Sequence, residues 1–128
     1  MSDRRLNGQI EFDIVAVSDA EAEGEMTVTP SGSGLYAGAL IWFAEAVATS
    51  LVLGGEPVAG DAEGLPVAVS LSAQMPGHCR NGTLVAKARW VSRGPRVAIV
   101  RTEIRDPEGG LLLDLTSTHL ASAAAKPA

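Results

Sequence analysis

One segment constrains this chain more than any other. The run Leu35 to Leu53 is apolar at almost every position, and Glu45 near its middle is its single charged residue. Its length approaches the roughly 17–25 residues that cross a bilayer. A carboxylate at mid-membrane costs several kcal/mol, however, and the rest of the chain reads as amphipathic strands that need a partner to cover them. The segment is therefore expected to be a buried helix of a soluble protein, apolar almost all round because other elements enclose it. Ser33 is placed to cap it through its hydroxyl, and Gly54-Gly55 ends it by permitting a left-handed residue, which predicts a helix over 34–53.

The flanking sequence alternates with period two, the signature of half-buried strands. Gln9 to Val17 places Ile10, Phe12, Ile14 and Ala16 on one side, and Ala22 to Thr29 follows. Beyond a polar loop with Asp61 and Glu63 come Pro66 to Met75, Gly82 to Ser92, Arg96 to Arg105 and Leu111 to Ala121. Gly94-Pro95 and Asp106-Pro-Glu-Gly-Gly110 supply the turns between the last three. In Gly82 to Ser92 the inward set is Leu84, Ala86, Ala88 and Trp90, with Lys87, Arg89 and Arg93 toward the other face. Two strands, a long apolar helix and a strand meander give an α+β fold, an antiparallel sheet with one helix along its concave face. With 128 residues and no repeat or linker, residues 1–128 read as one domain, with 121–128 frayed. Its open edges predict a homodimer or a dimer of dimers, that is, a homotetramer.

Composition excludes several classes. A net charge of -5 argues against nucleic acid as a partner. Cys79 is the only cysteine, so no internal disulfide forms and no structural zinc pattern exists. The beginning Met1-Ser-Asp-Arg-Arg-Leu-Asn-Gly lacks the apolar run of a signal peptide, so the expected location is cytoplasmic, with no membrane association. There is no nucleophile elbow, phosphate-binding glycine loop or dinucleotide fingerprint, so no cofactor is implied. His78 and His119 are far apart in sequence and make neither a metal site nor a triad by themselves.

Chemistry concentrates on the helix. From Met26 to Gly55, Glu45 is the only Asp, Glu, Lys or Arg, and burial there should raise its pKa toward that of a useful base or nucleophile. Pairing with an arginine across the sheet, or an outward-looking helical position, would explain it equally well. Thr49 lies one turn further on the same face, where its hydroxyl can orient the carboxylate or a water, or bond back to a helix carbonyl. The amides of Gly34, Leu35, Tyr36 and Ala37 are expected at the helix start, without intrahelical partners, as donors for a developing oxyanion. Ala37 and Glu45 are separated by about 12 Å along the helix axis at roughly 1.5 Å per residue. That is too far for both to serve one carbonyl, so two antiparallel helices across a twofold axis are required.

Basic residues cluster elsewhere. Arg80, Lys87, Arg89, Arg93, Arg96, Arg101 and Arg105 lie in one stretch whose only acid is Glu103. They read either as a seat for a small polyanion such as a nucleotide tail, or as a solvated sheet face with cations guarding an edge.

The order of elements and the segment Leu35-Tyr-Ala-Gly-Ala-Leu-Ile-Trp-Phe-Ala-Glu-Ala-Val-Ala-Thr49 resemble the hotdog-fold acyl-CoA thioesterases. The nearest groups are the 4-hydroxybenzoyl-CoA thioesterases of the Arthrobacter type and the thioesterases of phenylacetic acid degradation. The resemblance implies a hotdog fold and hydrolysis of an acyl-CoA at a subunit interface. In it Glu45 is nucleophile or general base, Ala37 and Gly38 are oxyanion donors, and Thr49 positions Glu45 or the water. Tyr36, Trp42, His78 and Arg80 would meet the substrate, Arg80 at the CoA phosphates. Tyr36-Ala37-Gly38 stands where the family carries His-Gly-Gly, which motivates an alternative, a non-catalytic hotdog module that binds an acyl thioester or other small ligand.

Overall fold

The computed structural model describes residues 5–6, 10–28, 37–54, 67–77 and 82–120. They form β1 (Arg5–Leu6), β2 (Ile10–Val17), β3 (Glu21–Val28), α1 (Ala37–Leu53), β4 (Val67–Gln74), β5 (Gly82–Arg93), β6 (Val97–Arg105) and β7 (Leu111–Leu120). The strands make one antiparallel sheet in the order β1-β2-β3-β5-β6-β7-β4, with α1 against its concave face. The expected strands and helix are present; the two-residue β1 is an addition that no alternation announced. Ser33 and residues 121–128 lie outside the described residues.

Period-two alternation builds the sheet's inner layer. Met26, Leu84, Ala86, Ala88, Val100, Ile104, Leu113 and Leu115 are buried beneath the helix. The helix answers with Leu40, Phe43, Ala44, Val47, Ala48 and Leu51 at three- and four-residue spacing, which is one face of an α-helix. Burying a side chain such as Phe43 contributes about 1.5–3 kcal/mol. Gly24 lets the helix come this close. A methyl group there would lie 2.7 Å from Val47 Cγ2 and 3.1 Å from Phe43 Cε1. At the other end Gly54 takes φ 70° and donates to the Leu51 carbonyl, the left-handed cap its sequence position implied.

Two expectations need correction. The helix is not enclosed all round: Ile41, Trp42, Glu45, Ala46 and Thr49 are only half-buried, because the sheet covers a single face. Its apolar outer flank is thus left without a cover among the described residues. The basic residues of β5 and β6 do not guard an edge either, since both strands are interior to the sheet. The edge opposite β1 is β4, which carries exposed Val69 and Leu71. No described helix is long and apolar enough to cross a membrane.

Candidate functional site

Helix geometry puts Gly38, Trp42, Glu45 and Thr49 on one flank, since they follow one another at three- and four-residue steps. This is the flank the sheet leaves uncovered. Glu45 is accordingly half-buried rather than enclosed, and no arginine neutralises it among the described residues. The Thr49 hydroxyl donates to Glu45 Oε2 at 3.1 Å. That bond uses the threonine side chain on the carboxylate rather than on the helix backbone, and it fixes one oxygen while leaving Oε1 open.

Ala37 and Gly38 are exposed in the first turn, and a side chain at Gly38 would meet no atom within 4 Å. The first helical amides have no carbonyl four residues earlier inside the described helix, and they sit at its positive end. Trp42 is held edge-on against Phe12, with ring centroids 4.7 Å apart. The structure thus brings Glu45 and Thr49 together and leaves Ala37 and Gly38 at the far end of the same helix. Tyr36, His78 and Arg80 lie outside the described residues.

His119, which its sequence position alone left without a role, lies close to this helix layer. It is 1 % exposed, on the inner face of β7, with Nε2 2.8 Å from Ser117 Oγ. Burial pushes its pKa below the ordinary value, and the negative charge of Glu45 acts in the opposite direction. The signal was present in the alternation Leu113, Leu115, Ser117, His119, which continues an apolar face into two polar residues. Only the tertiary packing shows that the helix carboxylate is within electrostatic reach.

The basic stretch behaves differently. Lys87, Arg89, Arg101 and Arg105 line a groove of about 680 Å³ on the outer sheet face, together with Glu23 and Glu103. Arg101 donates twice to Asp114, at 3.0 and 2.7 Å, and lies 3.5 Å from Glu103. Arg105 reaches Glu103 at 3.1 Å, and Arg89 reaches Glu21 at the same distance. Asp114 is held below the usual carboxylate range by its hydrogen bond from Arg101. Arg93 is not on this face at all. A bulge between Trp90 and Ser92 shifts the register, so that Arg93 pairs with inward-facing Ala98 and its guanidinium stacks 4.3 Å over the Trp90 ring. Most of these cations are therefore spent on neighbouring carboxylates or a ring, as on a solvated sheet face.

No family model matches this chain, and no curated protein matches it. Solved structures do. Thioesterase HI1161 from Haemophilus influenzae superposes with a TM-score of 0.74 at 19% identity, over 90% of this chain and 80% of that one. A mutant of the thioesterase enzyme SAV0944 from Staphylococcus aureus gives 0.73 at 19% identity, over 87% and 93% of the two chains. A hypothetical thioesterase protein from Streptococcus pneumoniae TIGR4, solved with coenzyme A, gives 0.74 at 16% identity, over 91% and 89%. One antiparallel sheet curled along one long helix, superposing over most of each chain on these proteins, is the hotdog fold, and this chain has it.

Proposed function

We propose that the protein hydrolyses an acyl-CoA, or a closely related acyl thioester, at an interface between two copies of the chain. The observation that carries this reading is the Glu45–Thr49 pair: a carboxylate with no cationic partner among the described residues, steadied by a hydroxyl at 3.1 Å on a half-covered apolar flank. The likeness in fold to thioesterases, one of them solved with coenzyme A, supports the same chemistry.

In this mechanism Glu45 attacks the thioester carbonyl, breaking the C–S bond, expelling the CoA thiolate and leaving a mixed anhydride that water hydrolyses, or it takes a proton from a water whose addition breaks the same C–S bond and passes that proton to the departing thiolate; Thr49 holds it in place. The amides of Ala37 and Gly38 stabilise the oxyanion. Since about 12 Å of helix separates them from their own Glu45, the donors come from the partner subunit. A second copy has a place to sit. The helix makes few contacts with β4, whose Val69 and Leu71, with the following Met75, are 56%, 46% and 40% exposed. Strand-to-strand pairing at that edge would cover them and bring a second helix alongside the first. Trp42 on the same flank lines the acyl side, and Tyr36, His78 and Arg80 are assigned to substrate, Arg80 to the phosphates. The cytoplasm is the proposed location, where acyl-CoA is available.

The test is turnover of a panel of short-chain, long-chain and aryl acyl-CoAs by the wild-type protein and by Glu45→Gln. The amide keeps the shape and the bond from Thr49 but removes the base, so turnover should fall by about 10²- to 10⁴-fold. Full turnover in the variant removes Glu45 from the mechanism. Ligand-dependent thermal stabilisation with no hydrolysis by the wild type establishes a binding module instead.

A further inference from the structure

His119 is the one buried ionisable side chain among the described residues that the mechanism above does not use. Its ring is fixed at one end by Ser117 Oγ, 2.8 Å from Nε2, and Ser117 is itself fully buried. At the other end Nδ1 is buried and meets no hydrogen-bond partner among the described residues. An imidazole nitrogen buried without a partner is destabilising, so the position is unfavourable unless the nitrogen is used. Across from it, α1 offers the complement. Glu45 spends Oε2 on Thr49 and no described residue engages Oε1. An unspent acceptor and an unspent ring nitrogen thus stand on facing elements of one packed layer.

Among the described residues nothing else competes for the pair. Glu45 is the only ionisable residue of α1, and β4 has none. The inward residues of β6 are Ala98, Val100, Thr102 and Ile104, and those of β7 beside His119 are Leu113, Leu115 and Ser117. Asp114, Arg101, Glu103 and Arg105 are engaged with one another on the outer face. On the inner face only Arg93 carries charge in the same row of the sheet, two strands away through Ala98, and its guanidinium lies over Trp90. Of the described charges, Glu45 is the one whose field acts on the His119 ring, against the burial that lowers its pKa.

We propose that His119 is a positioning residue for Glu45: a neutral imidazole clamped by Ser117, whose Nδ1–H, unpartnered as the ring stands, is held in reserve for the Glu45 carboxylate and fixes it once the two groups close up. Ser117 donates its hydroxyl to Nε2 in this arrangement, which leaves the ring proton on Nδ1. A carboxylate held by Thr49 on one oxygen and by His119 on the other has a single orientation. The proposal rests on the hydrolase reading for its kinetic consequence but not for its physical one.

Two measurements test it. The first is an NMR titration of both histidine rings in the wild type and in Glu45→Gln, assigned with His78→Gln. Loss of the carboxylate should move the His119 titration to lower pH and leave His78 in place; an unmoved His119 overturns the proposal even if the protein has no hydrolase activity. The second is turnover of the best acyl-CoA by His119→Asn and His119→Gln, each checked by thermal melting. Asparagine can keep a donor near the Nδ1 position and glutamine one near Nε2. Asparagine should retain kcat within about threefold while glutamine loses about tenfold with KM unchanged. Equal loss in both, or better turnover by glutamine, assigns His119 a packing role and overturns the proposal.

Discussion

The two faces of this sheet hold charge in opposite ways. On the outer face four cations line a groove of about 680 Å³, but Arg89, Arg101 and Arg105 are each met by a carboxylate within 3.1 Å. On the helix side there is one carboxylate and no cation against it among the described residues, only a threonine hydroxyl and, across the layer, a neutral histidine. The groove and the larger charge count therefore belong to the face whose ions are already paired. Paired ions in water have already satisfied each other and contribute little. A solitary acid beside apolar surface has no cation to satisfy it among the described residues.

The contrast can be broken at several points. The largest effect after Glu45→Gln is expected from Leu71→Asp on β4. A charge on the exposed edge should prevent pairing of two copies, giving a monomer by sedimentation and turnover lower by about 10²-fold, because the oxyanion donors are then missing. A dimeric variant with full activity would place the subunit contact elsewhere. Thr49→Val tests the pair on the helix itself: the shape is nearly kept, the hydroxyl is lost, and kcat should drop about tenfold with KM little changed. If KM rises instead, Thr49 contacts the substrate rather than Glu45.

The smallest effect is predicted on the outer face. Asp114→Asn removes the forked bond from Arg101 and should cost about 0.5–1 kcal/mol in urea unfolding, with turnover unaltered. Because the folded-state pKa of Asp114 is lowered, its stabilisation is present above the ordinary carboxylate range and disappears as pH falls through that lowered value. The variant should consequently lose less stability than the wild type on acidification. His119, also lowered by burial, acts in a higher window: stability should decline as pH falls below the ordinary histidine value of 6.5 toward the folded one.

Much of this architecture was legible in the sequence because strands and helices bury one face each. The alternation Leu84, Ala86, Ala88, Trp90 fixed the inward side of β5, and the four-residue step from Glu45 to Thr49 put both on one helix flank. Periodicity failed where the chain breaks its own period. An extra residue in the ladder at Val91 carried Arg93 to the opposite face, and nothing in a list of residue types marks a bulge there. Nor does alternation tell which helix residue an inward strand residue will face, so the influence of the Glu45 charge on His119 could not be read from it. The helix looked enclosed because its outer flank is apolar too, and composition does not distinguish a flank the sheet covers from one it leaves bare.

Gly24 lies on the side of the helix away from Glu45, yet it governs where that carboxylate stands. The helix rests there on bare backbone, with Val47 and Phe43 settled into the room a methyl group would fill. Any side chain at this point would act as a shim, lifting one flank and rolling the opposite one, so the aim of the acid depends on an atom the protein does without.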